Sequence, residues 1–294
     1  VAIHEQNYAR YEGTLRERGA AAVIAWRGFR VFFSFWKTKL IMLGMLGLPL
    51  LLTALVFVEN AARSSDIGKT ISEVAGQGAD AIPEAGFIMF PCWMTVFGIG
   101  VLFAASGCGV LADDIRYKTF QLYFSKPISR GQYVSGKFMT LLILGSIAGF
   151  LPLALVGFLR VALFFRLTPD LGFAVLWQTV LATGLLFMTL VSMSLVVMGL
   201  SALTSQTRYV VLAWLGVLLV PMLVGTIVGL ALDSQDVGNL FSITGNLWMG
   251  MSMLLEPDKS TQVPAFAPFV LLAAYGGAGA GAVAWRVNRL EGVA

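Results

Sequence analysis

Six long stretches of the chain carry no Asp, Glu, Lys or Arg: residues 40–58, 85–112, 138–159, 171–207, 209–232 and 260–285. A helix needs ~20 mostly apolar residues to cross the hydrocarbon core of a bilayer, so each stretch predicts a membrane-spanning helix. A seventh apolar run, 240–255, has only 16 residues and is interrupted by Gly245, Asn246 and Gly250. Its length predicts a re-entrant element that dips back from the outer side. The pattern therefore predicts an all-α polytopic membrane protein with six transmembrane helices. The chain reads as one transmembrane domain over residues 1–294, with 233–263 as its outer re-entrant segment.

Ahead of the first span, residues 22–38 read AVIAWRGFRVFFSFWKT. At about 100° per residue, Ala25, Phe29, Phe32, Phe33, Phe35 and Trp36 share one side, while Arg27, Arg30, Ser34 and Lys37 share another. Cations so closely spaced are costly at bilayer depth. The segment is expected to lie flat at the headgroup layer as an amphipathic helix, with Trp26, Phe29, Phe32, Phe33 and Trp36 as its aromatic anchors. Residues 1–39 form a charged arm without a short apolar core, so no cleavable signal peptide is expected.

Composition sharpens the class. The chain is 57% hydrophobic and 12% charged, with a mean hydropathy of +0.81. Soluble domains carry roughly twice that share of charge, which excludes a water-soluble globule. Of the 20 Lys and Arg residues, 15 fall in the N-terminal arm, the loop after the second span, position 208 and the C-terminus. Arg63, Lys69, Arg160, Arg166 and Lys259 remain for the other side, against ten acids. Positive charge collects on cytoplasmic loops, so both termini are expected in the cytoplasm. The basic balance reads as orientation, and no nucleic-acid partner is implied. His4 is the single histidine, so no histidine metal site, proton relay or Ser-His triad is available. Cys92 and Cys108 fall in one predicted helix, too far apart for a disulfide, and read as small packing residues. No catalytic, cofactor-binding or metal-ligating residue is assigned to the chain.

The loop between the second and third spans, residues 113–138, carries the most information. It opens with Asp113 and Asp114 and continues through an amphipathic run at 115–124. It then turns at Lys126-Pro127 and closes with Ser129-Arg130-Gly131 and Gly136-Lys137. On a helix Ile115, Thr119 and Leu122 fall together, as do Arg116, Phe120 and Tyr123. Pro127 ends such a helix. A short surface helix with aromatics between cations suits docking on a partner protein, and the two acids are expected to anchor its start, where a helix N-terminus favours negative charge.

This arrangement resembles the permease subunits of type 2 ABC exporters. Those often show an acidic pair, then Gly-Thr and a leucine-rich segment. Here Lys118-Thr119 replaces Gly-Thr, whereas Pro127-Ile128-Ser129-Arg130 and Gly136-Lys137 match well. The interfacial helix, six spans and long outer segment before the last span extend the likeness. The resemblance implies a subunit of the bacterial inner membrane that forms an export pathway with a second copy or a paralogue. It also implies two copies of a separate ABC ATPase, which would hold ATP and Mg while this chain binds no cofactor. Docking would fall on Asp113, Asp114, Ile115, Arg116, Thr119, Phe120, Leu122, Tyr123, Pro127 and Arg130.

Gly131 to Lys137 spells G-x-x-x-x-G-K, but Phe138 stands where a phosphate-binding loop needs Ser or Thr, and no buried strand precedes it. Ionisable groups inside the spans would advertise an ion-coupled carrier, and the six uncharged stretches disfavour one. A lipid-modifying membrane enzyme would need clustered His, acids or Ser-Lys near one leaflet, and only Asp113 and Asp114 come close. The remaining alternative is a complex of the same architecture that passes ATP-driven mechanical or regulatory work to a periplasmic partner.

Overall fold

Lipid offers no hydrogen bonds, so an apolar chain crossing it must pair its own N–H and C=O groups, and here it does so as helices. The computed structural model describes residues 19–64, 86–119, 128–166, 169–256 and 261–289. The N-terminal helix α1 (Ala20–Ser34) is followed by α2 (Trp36–Ser64). The second span is α3 (Gly86–Leu102), a π-helical segment (Phe103–Gly107) and α4 (Gly109–Arg116). The third repeats that design with α5 (Arg130–Gly145), a π segment (Ser146–Phe150) and α6 (Leu151–Phe165). Then come α7 (Pro169–Leu203), α8 (Thr207–Ala231), the short α9 (Gln235–Asn239), α10 (Ile243–Leu255) and α11 (Ala267–Arg289). Among the described residues six helical stretches are long and apolar enough to cross a membrane, and no strand occurs. The protein is an all-α polytopic membrane protein.

The 35-residue α7 is the hub, packing against α3, α6, α10 and α11. Its contact with α11 needs glycine on both sides, because a Cβ on Gly199 would come within 2.7 Å of the Gly279 backbone. Ser192 Oγ donates to the Leu272 carbonyl 2.9 Å away and fixes the same pair higher up. The two π segments lie close together, with the Phe103 ring beside Gly145, just before the second π turn. A π turn resets the helical ladder and leaves backbone groups to find other partners. Two neighbours supply them around the first segment. Trp214 Nε1 of α8 donates to the Gly100 carbonyl at 2.8 Å, and Ser201 of α7 serves the other side, as described below. Pro152, which lacks an N–H, stands two residues after the end of the second π segment.

Two expectations need correction. The amphipathic segment is not continuous over 22–38, because Phe35 is extended (ψ 128°) and separates α1 from α2. Trp36 therefore opens α2 and stands 68% exposed, instead of closing the interfacial helix. Second, Arg160 is not in an outer loop. The third span continues to Phe165, and Arg160 is 2% exposed within it, its guanidinium 5.4 Å from the Phe164 ring centre. Leu52 of α2 and Ile88 of α3 border the same small cavity. A long helix can carry one cation on its inward face, which a search for uncharged runs mistakes for the end of a span.

The segment between α8 and α11 leaves and returns at one end of the bundle. Its helix α10 buries Ile243, Leu247 and Met251 among its neighbours. The chain that follows comes back to α9, where Gln262 N donates to Asp236 Oδ2 at 3.2 Å. Tyr275 Oη of α11 holds the Phe241 carbonyl at 2.5 Å.

Candidate coupling site

The second span ends at Arg116, and the chain leaves it through a tight turn. Tyr117 N donates to the Asp113 carbonyl at 2.9 Å and Thr119 N to the Asp114 carbonyl at 3.0 Å. Lys118 takes a left-handed conformation (φ 54°) that stops the helix. Asp113 and Asp114 thus occupy the last turns of α4 and do not begin a helix. The dipole that would favour acids at a helix start opposes them here, so other groups must hold them.

Those groups come from two other spans, and a third ties the backbone just before them. Asp114 forms an ion pair with Lys137 Nζ at 2.6 Å, and Tyr133 Oη donates to the same carboxylate oxygen in a very short contact. Tyr133 and Lys137 stand one turn apart on α5, and the Tyr133 side chain is fully buried. Asp113 accepts from Thr207 Oγ1, at the first residue of α8, at 2.6 Å. One turn deeper, Ser201 Oγ of α7 accepts from Leu111 N at 2.9 Å and Ala112 N at 2.8 Å. The same hydroxyl donates to the Cys108 carbonyl at 2.8 Å. The exit of the second span is therefore tied separately to the third, fourth and fifth.

The return of the loop is equally defined. Ser129 caps α5 in a reciprocal box: Gln132 N donates to Ser129 Oγ at 3.2 Å and Ser129 N to Gln132 Oε1 at 3.0 Å. Arg130 is the first residue of that helix. Residues 131–137 are wholly helical, so the G-x-x-x-x-G-K pattern forms no phosphate-binding loop. Gly136 faces α1, where a Cβ would stand 2.8 Å from Ile24, and Lys137 is the partner of Asp114.

Of the residues expected to dock a partner, Asp113, Asp114, Ile115 and Arg116 lie in the last turns of α4. Arg116 stacks on Tyr117, and Thr119 donates its hydroxyl to the Asp114 carbonyl at 3.3 Å. Phe120, Leu122, Tyr123 and Pro127 lie outside the described residues. Sequence reasoning missed Tyr133, Ser201 and Thr207. The spacing of Tyr133 and Lys137, one turn apart and next to an acidic pair in the chain, was a readable signal; Ser201 and Thr207 offered none.

Helix α1 lies beside this junction. Ile24 and Ala25 are buried against α5, and Thr140 Oγ1 donates to the Ala25 carbonyl at 3.4 Å. Phe29 and Phe32 are half-buried against the core, whereas Trp26 and Phe33 are exposed. Trp26, Phe29 and Phe33 form a ladder of rings 5.7 and 5.6 Å apart, with Arg30 5.2 Å over Trp26. Thr38 of α2 bonds to Ser106 in the first π segment at 2.7 Å. A cavity of about 350 Å³ separates the α1–α2 elbow from Asp113 and Thr207.

Nothing in this cluster is arranged as a nucleophile beside a base. It is a joint that ties four helix ends together. Residues 47–243 match the family model described as ABC-2 family transporter protein. No curated protein matches the chain.

Proposed function

The chain belongs to the ABC-2 transporter family and is the membrane component of an ABC transport system, and from that premise we propose that it forms the pathway of an ATP-driven exporter and is driven through loop 113–137. The observation that carries this reading is the joint at the loop's base, where Asp113 and Asp114 connect α4 to α5 and α8. A separate ATPase pressing on the loop moves Asp114. The ion pair and the Tyr133 bond then draw α5, and α1 with it, while Asp113 draws α8. Two ATPase copies serve two permease chains, the second a copy or a paralogue, in the bacterial inner membrane. Segment 233–263 forms the outer lid of the pathway, dipping into the membrane without crossing it.

The docking surface itself is assigned to residues 115–124, with Phe120 and Tyr123 as anchors. Aromatic anchors dominate most interfaces, and truncating one commonly costs ~2 kcal/mol or more. The test separates docking from transmission. The double substitution F120A/Y123A is expected to lose co-purification of the ATPase, while replacing Lys118 and Lys126 leaves it intact. Asp114→Asn is expected to keep the ATPase bound yet abolish the dependence of ATP hydrolysis on the permease. If the aromatic pair is removed without loss of assembly, the loop is only a connector.

A further inference from the structure

At the end of the bundle opposite the coupling joint lies a cavity of about 500 Å³, lined by α3, α8, α9 and α10. That volume falls within the roughly 300–1,000 Å³ of small-molecule sites. Its floor is made by close helix contact: a Cβ on Gly225 would collide with the Gly238 carbonyl, so α9 is pressed against α8. Phe90 and Trp93, stacked with centroids 6.4 Å apart, form one wall, and Trp248 of α10 belongs to another. Gln235 and Asn239, one turn apart on α9, line it as well. Neither amide makes a side-chain hydrogen bond within the described residues, so both donors and both acceptors remain available. No described lining residue is charged. Phe90 and Leu230, which border the cavity, are 50% and 76% exposed, so it opens to the apolar surroundings of the bundle.

We propose that this cavity binds an uncharged amphiphile whose head carries hydroxyl groups. The two amides both donate and accept, as a hydroxyl does, and the aromatic faces suit the apolar C–H faces of a polyol or sugar ring. A charged head would be desolvated there without a counter-charge, which disfavours phosphates, sulfates and quaternary ammonium groups alike. An alkyl tail leaves through the gap between Phe90 and Leu230 along α8. Its position near the outer leaflet rests on the orientation proposed above, but binding does not, and no ATPase is needed to measure it.

The experiment uses the full chain in phosphatidylcholine nanodiscs with a photoactivatable alkyl glucoside, and cross-links are mapped by mass spectrometry. Labels are expected within 90–93 and 235–248. Excess unlabelled alkyl glucoside should displace them, whereas an alkyl sulfate or alkyltrimethylammonium of equal chain length should not. The paired variant Gln235→Leu/Asn239→Leu is expected to weaken labelling about tenfold. Asn239→Asp alone should let alkyltrimethylammonium displace the label, a readout that survives if the double variant fails to fold. Equal displacement by all three head groups would overturn the proposal, as would labels along Leu223 and Ile227 with none within 90–93 and 235–248. So would an Asn239→Asp variant with unchanged preference, or cross-links between two copies of the chain through the cavity.

Discussion

Ser201 shows how one hydroxyl in a membrane helix departs from the general run. Thr183, Thr189 and Ser194 each bond back to the carbonyl four residues earlier, at 2.7, 2.9 and 2.8 Å, which is the ordinary fate of such residues in lipid. Ser201 instead reaches α4, accepting from the Leu111 and Ala112 N–H groups and giving its proton to the Cys108 carbonyl. Replacing it with alanine removes three buried hydrogen bonds between α7 and α4. Unsatisfied buried groups cost ~1–3 kcal/mol, while hydrogen bonds between membrane helices average nearer ~0.6 kcal/mol because the partners relax. Ser201→Ala is therefore expected to destabilise the fold by about 1–2 kcal/mol, measured by unfolding in mild detergent, with Ser194→Ala as a near-neutral comparison. None of this was legible in the chain, where Ser192, Ser194 and Ser201 look alike. The acids next door were legible as a pair at the end of the span but were assigned to the start of the next helix. Their identity was plain, but whether a helix begins or ends at them depends on the turn at Lys118, a non-glycine residue at φ 54° that carries no sequence warning.

At the level of elements, hydrophobic runs located every span, because burial in lipid demands length and apolarity and the sequence states both. The π segments, the break at Phe35 and the inward Arg160 were invisible, since each depends on what a neighbouring helix offers. The seating of α1 on α5 is one such case. A side chain at Gly136 would strike Ile24 and the Ala21 carbonyl, 2.8 and 2.9 Å from its Cβ. A backbone atom cannot swing aside, so Gly136→Leu is expected to lever α1 off the bundle at a cost of about 1–3 kcal/mol. Faster proteolysis at Arg27 and Arg30, together with a lower melting temperature, would show it; unchanged cleavage would mean α1 is held elsewhere. The outer segment makes a second test at this scale. Asp236 and Gln262 are hydrogen-bonded neighbours, so cysteines at both positions should react with membrane-impermeant reagents from the same side. Labelling from opposite sides would mean that α10 crosses the bilayer, giving seven spans.

For the whole molecule, orientation is the remaining choice, because a six-helix bundle fits a membrane either way up. The joint at Asp113 and Asp114, the N-terminal helix α1 and the C-terminal turn of α11 share one end: α1 packs on the first half of α5, and α11 runs parallel to α7. That end carries Arg27, Arg30, Arg116, Arg130, Lys137, Arg208, Arg286 and Arg289, whereas the opposite end presents Asp170, Asp233, Asp236 and Glu256 beside Arg166. Lys and Arg near span ends set topology far more strongly than acids do, and here both signs agree. The basic end is expected in the cytoplasm, where an ATPase and its nucleotide reside. The native chain suits the measurement, because Cys92 and Cys108 are 0% and 1% exposed and should stay silent toward aqueous reagents. Single cysteines at positions 2 and 293 should then resist an impermeant maleimide in intact cells and react once the membrane is opened. A cysteine at 236 should react without opening. Reaction at 2 or 293 in intact cells would place loop 113–137 on the side that holds no ATP, and the coupling assigned to Asp114 would fail with it.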